Sequence, residues 1–247
     1  MAKNLMTPKL ISEFNRFCPG CGHGLIAKMI AQVLEERGVE DNAIQVYAVG
    51  CSCFVSTVIK ADSIQAQHGR APAVASGVRR ARPDAVVYTY QGDGDAAAIG
   101  LSESLYAAYR NENTTAIFVN NGVFGMTGGQ MAPTTLEGQK TATSIYGRNT
   151  ELTGQPFKLA ELIAQMPVAY VERCSLANAK LIAQTKRAIG KAFDNQLAGK
   201  GYSFVEILSP CPTNWHMDPV KAYKKLEEVV AEEYKLGVLK DSKEDSK

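Results

Sequence analysis

With 247 residues and 45% hydrophobic content, the chain is long enough to bury a core of its own. Its 27 Lys and Arg against 25 Asp and Glu leave a net charge of +2, which argues against a nucleic-acid surface built from bulk charge. No apolar run is long enough to span a bilayer, and the start, Met1 to Pro8, lacks the apolar segment of a secretory signal. A cytoplasmic protein with no membrane or nucleic-acid partner is therefore expected.

The first notable stretch is Phe17-Cys18-Pro19-Gly20-Cys21-Gly22-His23-Gly24, a C-x-x-C turn among glycines. Leu25, Ile26, Met29, Ile30, Val33 and Leu34 then mark one face of a helix that stops at Gly38. Residues 44–49 predict a strand ending at Gly50-Cys51. His68-Gly69-Arg70-Ala71-Pro72 is read as following a helical segment. Residues 86–90 predict a second strand, entering Gly92-Asp93-Gly94-Asp95, and the alanine-rich residues 96–110 predict a helix. Residues 115–119 predict a third strand, which ends at Asn120-Asn121.

Residues 122–156 are glycine-rich and show little periodicity, the pattern of a long functional loop. A strand over 168–172, a helix over 176–195 and a strand over 203–208 follow. Asp218-Pro219 starts a last helix, with Asp as cap and Pro in the first turn. From Val238 the residues are mostly charged or small, so 238–247 are expected to form a flexible charged tail after a single domain, 1–237. Strand and helix alternating in this way predict an α/β fold, a doubly wound, mostly parallel sheet covered on both faces.

In such a sheet the ends of consecutive parallel strands lie side by side. Asp93 and Asn121 are then brought together, two hard oxygen donors beside glycine-rich turns. Magnesium takes about six oxygens in near-octahedral geometry. Asp93 supplies the charge, Asn121 an amide oxygen, and a main-chain carbonyl just past it, taken here as Val123, a third ligand. Phosphate oxygens and water fill the rest. The helix that starts near Asp95 points its positive end at the same place. Gly-Asp-Gly and Asn-Gly are each common turns taken singly; their pairing at two strand ends is what is specific.

These motifs resemble the signature of thiamine diphosphate enzymes. By that resemblance Asp93, Asn121 and the carbonyl of Val123 hold the metal, and Gly94, Asp95, Gly125 and Met126 line the diphosphate.

Six cysteines in a cytosolic chain point to metal or catalysis before disulfides. Cys18 and Cys21 at C-x-x-C spacing need two further ligands, from Cys51, Cys53, Cys174 or Cys211. Cys51 and Cys211 follow strand ends. Cys53 is the weaker candidate, and Cys174, between a strand and a helix, reads as a buried small residue or an exposed spare. Spacing alone is as compatible with zinc as with an iron–sulfur cluster.

The combination of Cys18-Pro19-Gly20-Cys21-Gly22, Gly50-Cys51-Ser52 and Ser209-Pro210-Cys211 with the diphosphate motif resembles the beta subunit of 2-oxoacid:ferredoxin oxidoreductases, over about Phe17 to Lys225. The resemblance implies a 4Fe–4S cluster on Cys18, Cys21, Cys51 and Cys211, with Cys53 a departure that creates a second possible third ligand. It implies a thiamine diphosphate-binding fold and coenzyme A-dependent oxidative decarboxylation of a 2-oxoacid to acyl-CoA and CO2, with electrons passed to ferredoxin. Val49, Gly50, Cys51, Ser52, His68, Gly69 and Gly92 would join the cofactor site.

His68, in a loop resembling one that touches the cofactor, and His23 are the candidate catalytic side chains. His216 and Trp215 are expected to pack around Cys211. Phe54, near the expected substrate pocket, hints at an apolar, branched-chain 2-oxoacid over 2-oxoglutarate. The glutamate that activates the aminopyrimidine lies, in enzymes of this kind, in a separate pyrimidine-binding domain. None is found in this chain, so an alpha subunit is expected to complete the site. The rival readings are a non-redox thiamine diphosphate decarboxylase or synthase, and a non-catalytic module holding structural zinc.

Overall fold

The structure, a computed structural model, describes residues 7–242; the expectations for 1–6 and 243–247 lie outside the described residues. In chain order the strands are β1 (Ala43–Tyr47), β2 (Asp62–Gln65), β3 (Val86–Gly92), β4 (Thr115–Asn120), β5 (Val123–Phe124), β6 (Gln130–Met131), β7 (Tyr170–Ser175), β8 (Ser203–Leu208) and β9 (Gly237–Asp241). The helices are α1 (His23–Glu36), α2 (Val55–Val58), α3 (Ala71–Ala81), α4 (Leu101–Tyr109), α5 (Thr150–Thr153), α6 (Leu159–Ala164), α7 (Ala179–Leu197), α8 (Pro212–Trp215), α9 (Pro219–Lys225) and α10 (Ala231–Glu233), the last two joined by a π-helical segment, Leu226–Val230. Seven strands form one sheet in the order β2-β1-β3-β4-β8-β7-β9, and β5 pairs with β6 in a separate hairpin. Every neighbouring pair in the large sheet is parallel except β7 with β9. Among the described residues no helix is long and apolar enough to cross a membrane.

The period of two along each strand sorts side chains to two helical layers. Tyr88, Tyr90, Ile117, Val119, Val205 and Ile207 share a core with α1 and with Ala188, Ile189, Ala192 and Phe193 of α7. Ala116, Phe118, Val171 and Phe204 point to the other face, against Ala107 and Ala108 of α4 and Leu159, Ala160 and Ile163 of α6. Ile44, Val46 and Val87 meet Ala71 and Ala75 of α3. Strands buried on both faces explain why β3, β4 and β8 read as nearly continuous apolar runs.

Four expectations are corrected. Val238–Asp241 do not fray: they belong to β9, which pairs antiparallel with β7, and Lys191 ion-pairs with Asp241. Leu239, packed against the α6 layer, is the apolar anchor that the charge count hid. The segment before His68 is an edge strand, not a helix; its four residues are exposed and polar apart from Ile64, so the pattern carried no strand signal. β7 starts at Tyr170, which puts Cys174 inside a strand and buries it. The single helix expected over 96–110 is two pieces, a π-helical turn at Gly94–Ile99 and then α4. Gly100 N–H donates to the Asp95 carbonyl at 2.8 Å, the longer hydrogen-bond loop of a π-turn.

One polar network crosses the apolar core. Arg173 on β7 donates through Nε to Glu206 Oε2 of β8 at 2.7 Å, and its guanidinium also pairs with Glu161 of α6. Glu206, fully buried, accepts from Asn120 Nδ2 at 2.8 Å. Burial raises the Glu206 carboxyl, against the Arg173 charge, which lowers it. Arg173→Met leaves Glu206 buried without its cation and is expected to cost about 3–5 kcal/mol in urea denaturation. The pair Arg173→Met with Glu206→Leu should recover part of that loss; a single-variant loss below about 1 kcal/mol would contradict the structural role given to the pair.

Candidate functional site

Four strands adjacent in the sheet, β1, β3, β4 and β8, each end at one cleft. β1 leads to Gly50, Cys51 and Ser52, β3 to Asp93, β4 to Asn121, and β8 to Ser209 and Cys211. This is the carboxyl edge of a parallel sheet, where such folds place their ligands. Val49, Gly50, Cys51, Ser52, His68, Gly92, Asp93, Gly94, Asp95, Asn121, Val123 and Gly125 line one cavity together with His23 and Phe124. Of the residues expected at the cofactor, Gly69 is outside this lining but donates to Asp95, which is in it, and Met126 lines the neighbouring cavity.

Asp93 is the most constrained side chain here. Its Oδ1 accepts from Gly94 N–H at 2.8 Å. Its Oδ2 accepts from Asn121 N–H at 3.2 Å, Gly122 N–H at 2.6 Å and Thr134 Oγ1 at 2.6 Å. Burial still pushes the carboxyl up to about 6, against all four donors. Among the described residues no Lys, Arg or His forms an ion pair with Asp93. A buried carboxylate with one oxygen lightly used and no cationic neighbour fits a divalent cation. Asn121 keeps its amide oxygen at the same edge, where it also accepts from Val123 N–H at 3.1 Å, while its carbonyl accepts from Trp215 Nε1 at 3.0 Å. Trp215 thus packs under the asparagine as well as beside Cys211.

Asp95 and His68 form a second group. His68 Nδ1 is hydrogen bonded to Asp95 Oδ1, Gly69 N–H donates to the same oxygen at 2.7 Å, and Gln91 Nε2 donates to Oδ2. Burial raises the Asp95 carboxyl.

Cys18, Cys21, Cys51 and Cys211 line a cavity of about 410 Å³ with Phe17, His23, Phe54, Asn121, Gly125 and Met126. Cys53 lies outside this lining, and Cys174 sits within β7. A Cβ on Gly125 would lie 3.1 Å from Cys51 Sγ and 3.9 Å from Cys211 Sγ, so those two sulfurs flank its backbone. Burial pushes the Cys21 and Cys51 thiols up to about 12, and neighbouring cysteines add to the rise. Among the described residues no three His, Cys, Asp or Glu are placed to grip a single metal ion. The four cysteines share the lining of one cavity, a set of sulfur donors that suits a thiolate-bound metal centre.

His23 lines both cavities. Its Nδ1 lies 2.6 Å from Tyr90 Oη, and its ring stacks on Phe17 at 5.0 Å. Burial lowers it to about 4, so it is neutral at pH 7. Several residues that position the site carried no motif: Thr134, Gln91, Tyr90 and Gly100. Gly100 alone left a sequence signal, a glycine inside an alanine-rich helical run.

A family model described as thiamine pyrophosphate enzyme, C-terminal TPP binding domain, matches residues 48–207. The 2-oxoglutarate synthase subunit KorB of Archaeoglobus fulgidus is 36% identical over 212 residues, 86% of this chain and 75% of that protein. The chain belongs to the thiamine pyrophosphate-binding subunits of 2-oxoacid:ferredoxin oxidoreductases. Within that family, the ketoisovalerate oxidoreductase subunit VorA of Methanothermobacter thermautotrophicus is 47% identical over 227 residues. That alignment takes in 91% of this chain but 47% of VorA, so the chain spans about half the length of that relative. A solved 2-oxoglutarate:ferredoxin oxidoreductase from Magnetococcus marinus, with 2-oxoglutarate, coenzyme A and succinyl-CoA bound, superimposes with a TM-score of 0.79 at 26% identity. It covers 96% of this chain and 85% of that one.

Proposed function

We propose that this chain is the beta subunit of a complex that oxidatively decarboxylates a 2-oxoacid to an acyl-CoA and CO2, passing the electrons to ferredoxin. The observation that carries the reading is a shared wall. His23, Cys51, Asn121 and Gly125 line both the cysteine cavity and the Asp93 cavity, so groups held in the two would be immediate neighbours. In this reading Asp93, Asn121 and the Val123 carbonyl hold Mg2+ against the diphosphate of thiamine diphosphate, and Cys18, Cys21, Cys51 and Cys211 hold a 4Fe–4S cluster. Bound thiamine diphosphate supplies an electron sink for decarboxylation, and the cluster a one-electron acceptor.

The chain's own residues bind, orient and exclude water. The Phe124 ring covers Gly94 so closely that a Cβ there would meet it at 2.3 Å. Phe17 and Phe54, edge to face at 6.1 Å, close the cysteine cavity from its apolar side. Among the described residues no glutamate lines the Asp93 cavity. An alpha subunit would bring the pyrimidine-binding domain with its activating glutamate, and ferredoxin or a ferredoxin-like subunit would take the electrons. The apolar wall at Phe54 and the VorA likeness favour a branched-chain 2-oxoacid.

Three measurements test the reading. Mg2+-dependent thiamine diphosphate binding, followed by fluorescence of Trp215, the single tryptophan, should be lost in Asp93→Ala; unchanged binding contradicts the metal assignment. Anaerobically purified protein should hold iron and sulfide, which Cys→Ser at 18, 21, 51 or 211 removes and Cys53→Ser or Cys174→Ser does not. Stoichiometric zinc without iron, or iron lost in Cys53→Ser and kept in Cys51→Ser, would overturn the ligand set. With co-expressed partners, dye reduction should be faster with 2-oxoisovalerate than with 2-oxoglutarate, and Phe54→Lys should narrow the gap; the reverse preference would refute the substrate assignment.

A further inference from the structure

Asp95 is expected, by family resemblance, to line the diphosphate. A carboxylate facing phosphate oxygens is repelled by them, most strongly where water is excluded. The geometry gives this residue another use. All its recorded partners are donors from the protein: Gly69 N–H and His68 Nδ1 on Oδ1, and Gln91 Nε2 on Oδ2. Asp95 itself is 3% exposed. Of its three donors, His68 alone also lines the cavity of Asp93.

The backbone supports the same pairing. Gly69 lies at φ 81°, where L side chains are strained, and a Cβ on Gly100 would sit 2.3 Å from the Gly69 carbonyl oxygen. The His68-Gly69 turn is thus pressed directly onto the end of the π-helical segment that carries Asp95. The rings of Phe124 and His68 meet edge to face, their centroids 6.4 Å apart. The imidazole is therefore held by a carboxylate, by its own backbone turn and by an aromatic ring.

Resting on the thiamine diphosphate reading above, we propose that Asp95 is the positioning residue of His68, fixing its Nδ1 so that Nε2 meets an anionic oxygen of the ligand. The pairing requires the imidazolium form, in which Nδ1–H donates to Asp95 and Nε2–H to the anion. Asp95 lines the same cavity, and its negative charge is shared among His68, Gly69 N–H and Gln91 instead of being left bare toward the phosphates. The anionic oxygen belongs either to the diphosphate or to the carboxylate of the 2-oxoacid.

The test is a double-mutant cycle of Asp95→Asn and His68→Gln in the full chain. Two quantities are read: the Kd for Mg2+-thiamine diphosphate from Trp215 fluorescence, and, in the co-expressed complex, the KM for the 2-oxoacid against kcat. Each single variant should weaken one of these by roughly tenfold or more, the loss of one charge-assisted hydrogen bond. The double variant should be no weaker than His68→Gln, within about twofold. A loss in the cofactor Kd assigns Nε2 to the diphosphate; a loss confined to KM assigns it to the substrate carboxylate.

The proposal is overturned if Asp95→Asn tightens cofactor binding, as removal of a repelling carboxylate would, if it changes nothing, or if its effect adds in full to that of His68→Gln. A mere loss of folding would lower the melting temperature and persist in the His68→Gln background, where a positioning effect disappears. If the wild-type and Asp93→Ala proteins alike fail to bind the cofactor in the co-expressed complex, the underlying reading fails; binding by wild type with additive variants sinks the pairing alone.

Discussion

The site depends on one buried carboxylate. Asp93 directly follows β3, and its Oδ2 gathers the first two backbone N–H groups after β4 and the hydroxyl of Thr134. Through that single atom the ends of two strands and the long loop are held in one place. The arrangement is costly to bury, as the rise of its pKa to about 6 records, and it persists because four donors share the charge. A divalent cation at the remaining lone pairs would stabilise the carboxylate further, so the position that holds the cleft together also presents its strongest cation ligand.

The clamp is supported from behind by a closed circuit of contacts. Thr134 gives its carbonyl to the hydroxyl of Tyr234 at 2.9 Å. The ring of Tyr234 lies under the Arg173 guanidinium at 5.1 Å, Arg173 pairs with Glu206, and Glu206 holds Asn120. Asn120 precedes Asn121, whose N–H returns to Asp93. The first asparagine of the motif is therefore turned into the protein and the second toward the cleft. On the other side Trp215 fixes the Asn121 carbonyl, which ties the α8 turn after Cys211 to the same centre. Cysteine cavity and carboxylate cavity are thus built on one scaffold, with Asn121, Gly125, Cys51 and His23 belonging to both.

Much of this was legible in the chain. Apolar runs identified five of the six parallel strands within a few residues, because strands buried on both faces must be apolar throughout. Glycine, aspartate and asparagine at strand ends gave the cleft, since these residues are where tight turns and hard ligands coincide. What escaped was decided by tertiary contact. β2 is a polar edge strand whose only reason to extend is pairing with β1, and β9 is anchored by Leu239 inside a charged segment. At the end of the π-turn Gly94–Ile99, Gly100 meets Gly69 backbone to backbone, a contact between segments that the alanine-rich run did not announce. The part played by Asp95 was hidden for the same reason: its partner is 27 residues away in sequence.

We propose that a cation-bound diphosphate and a four-cysteine cluster occupy adjoining cavities in this one chain. Anaerobic crystals grown with Mg2+ and thiamine diphosphate, measured with anomalous scattering at the iron edge, test it most directly. The expected result is an iron peak within the ring of Cys18, Cys21, Cys51 and Cys211, and a diphosphate and Mg2+ in the cavity lined by Asp93 and Asn121, across the wall formed by Gly125. A zinc signal in place of iron, or a diphosphate seated away from Asp93, would contradict it.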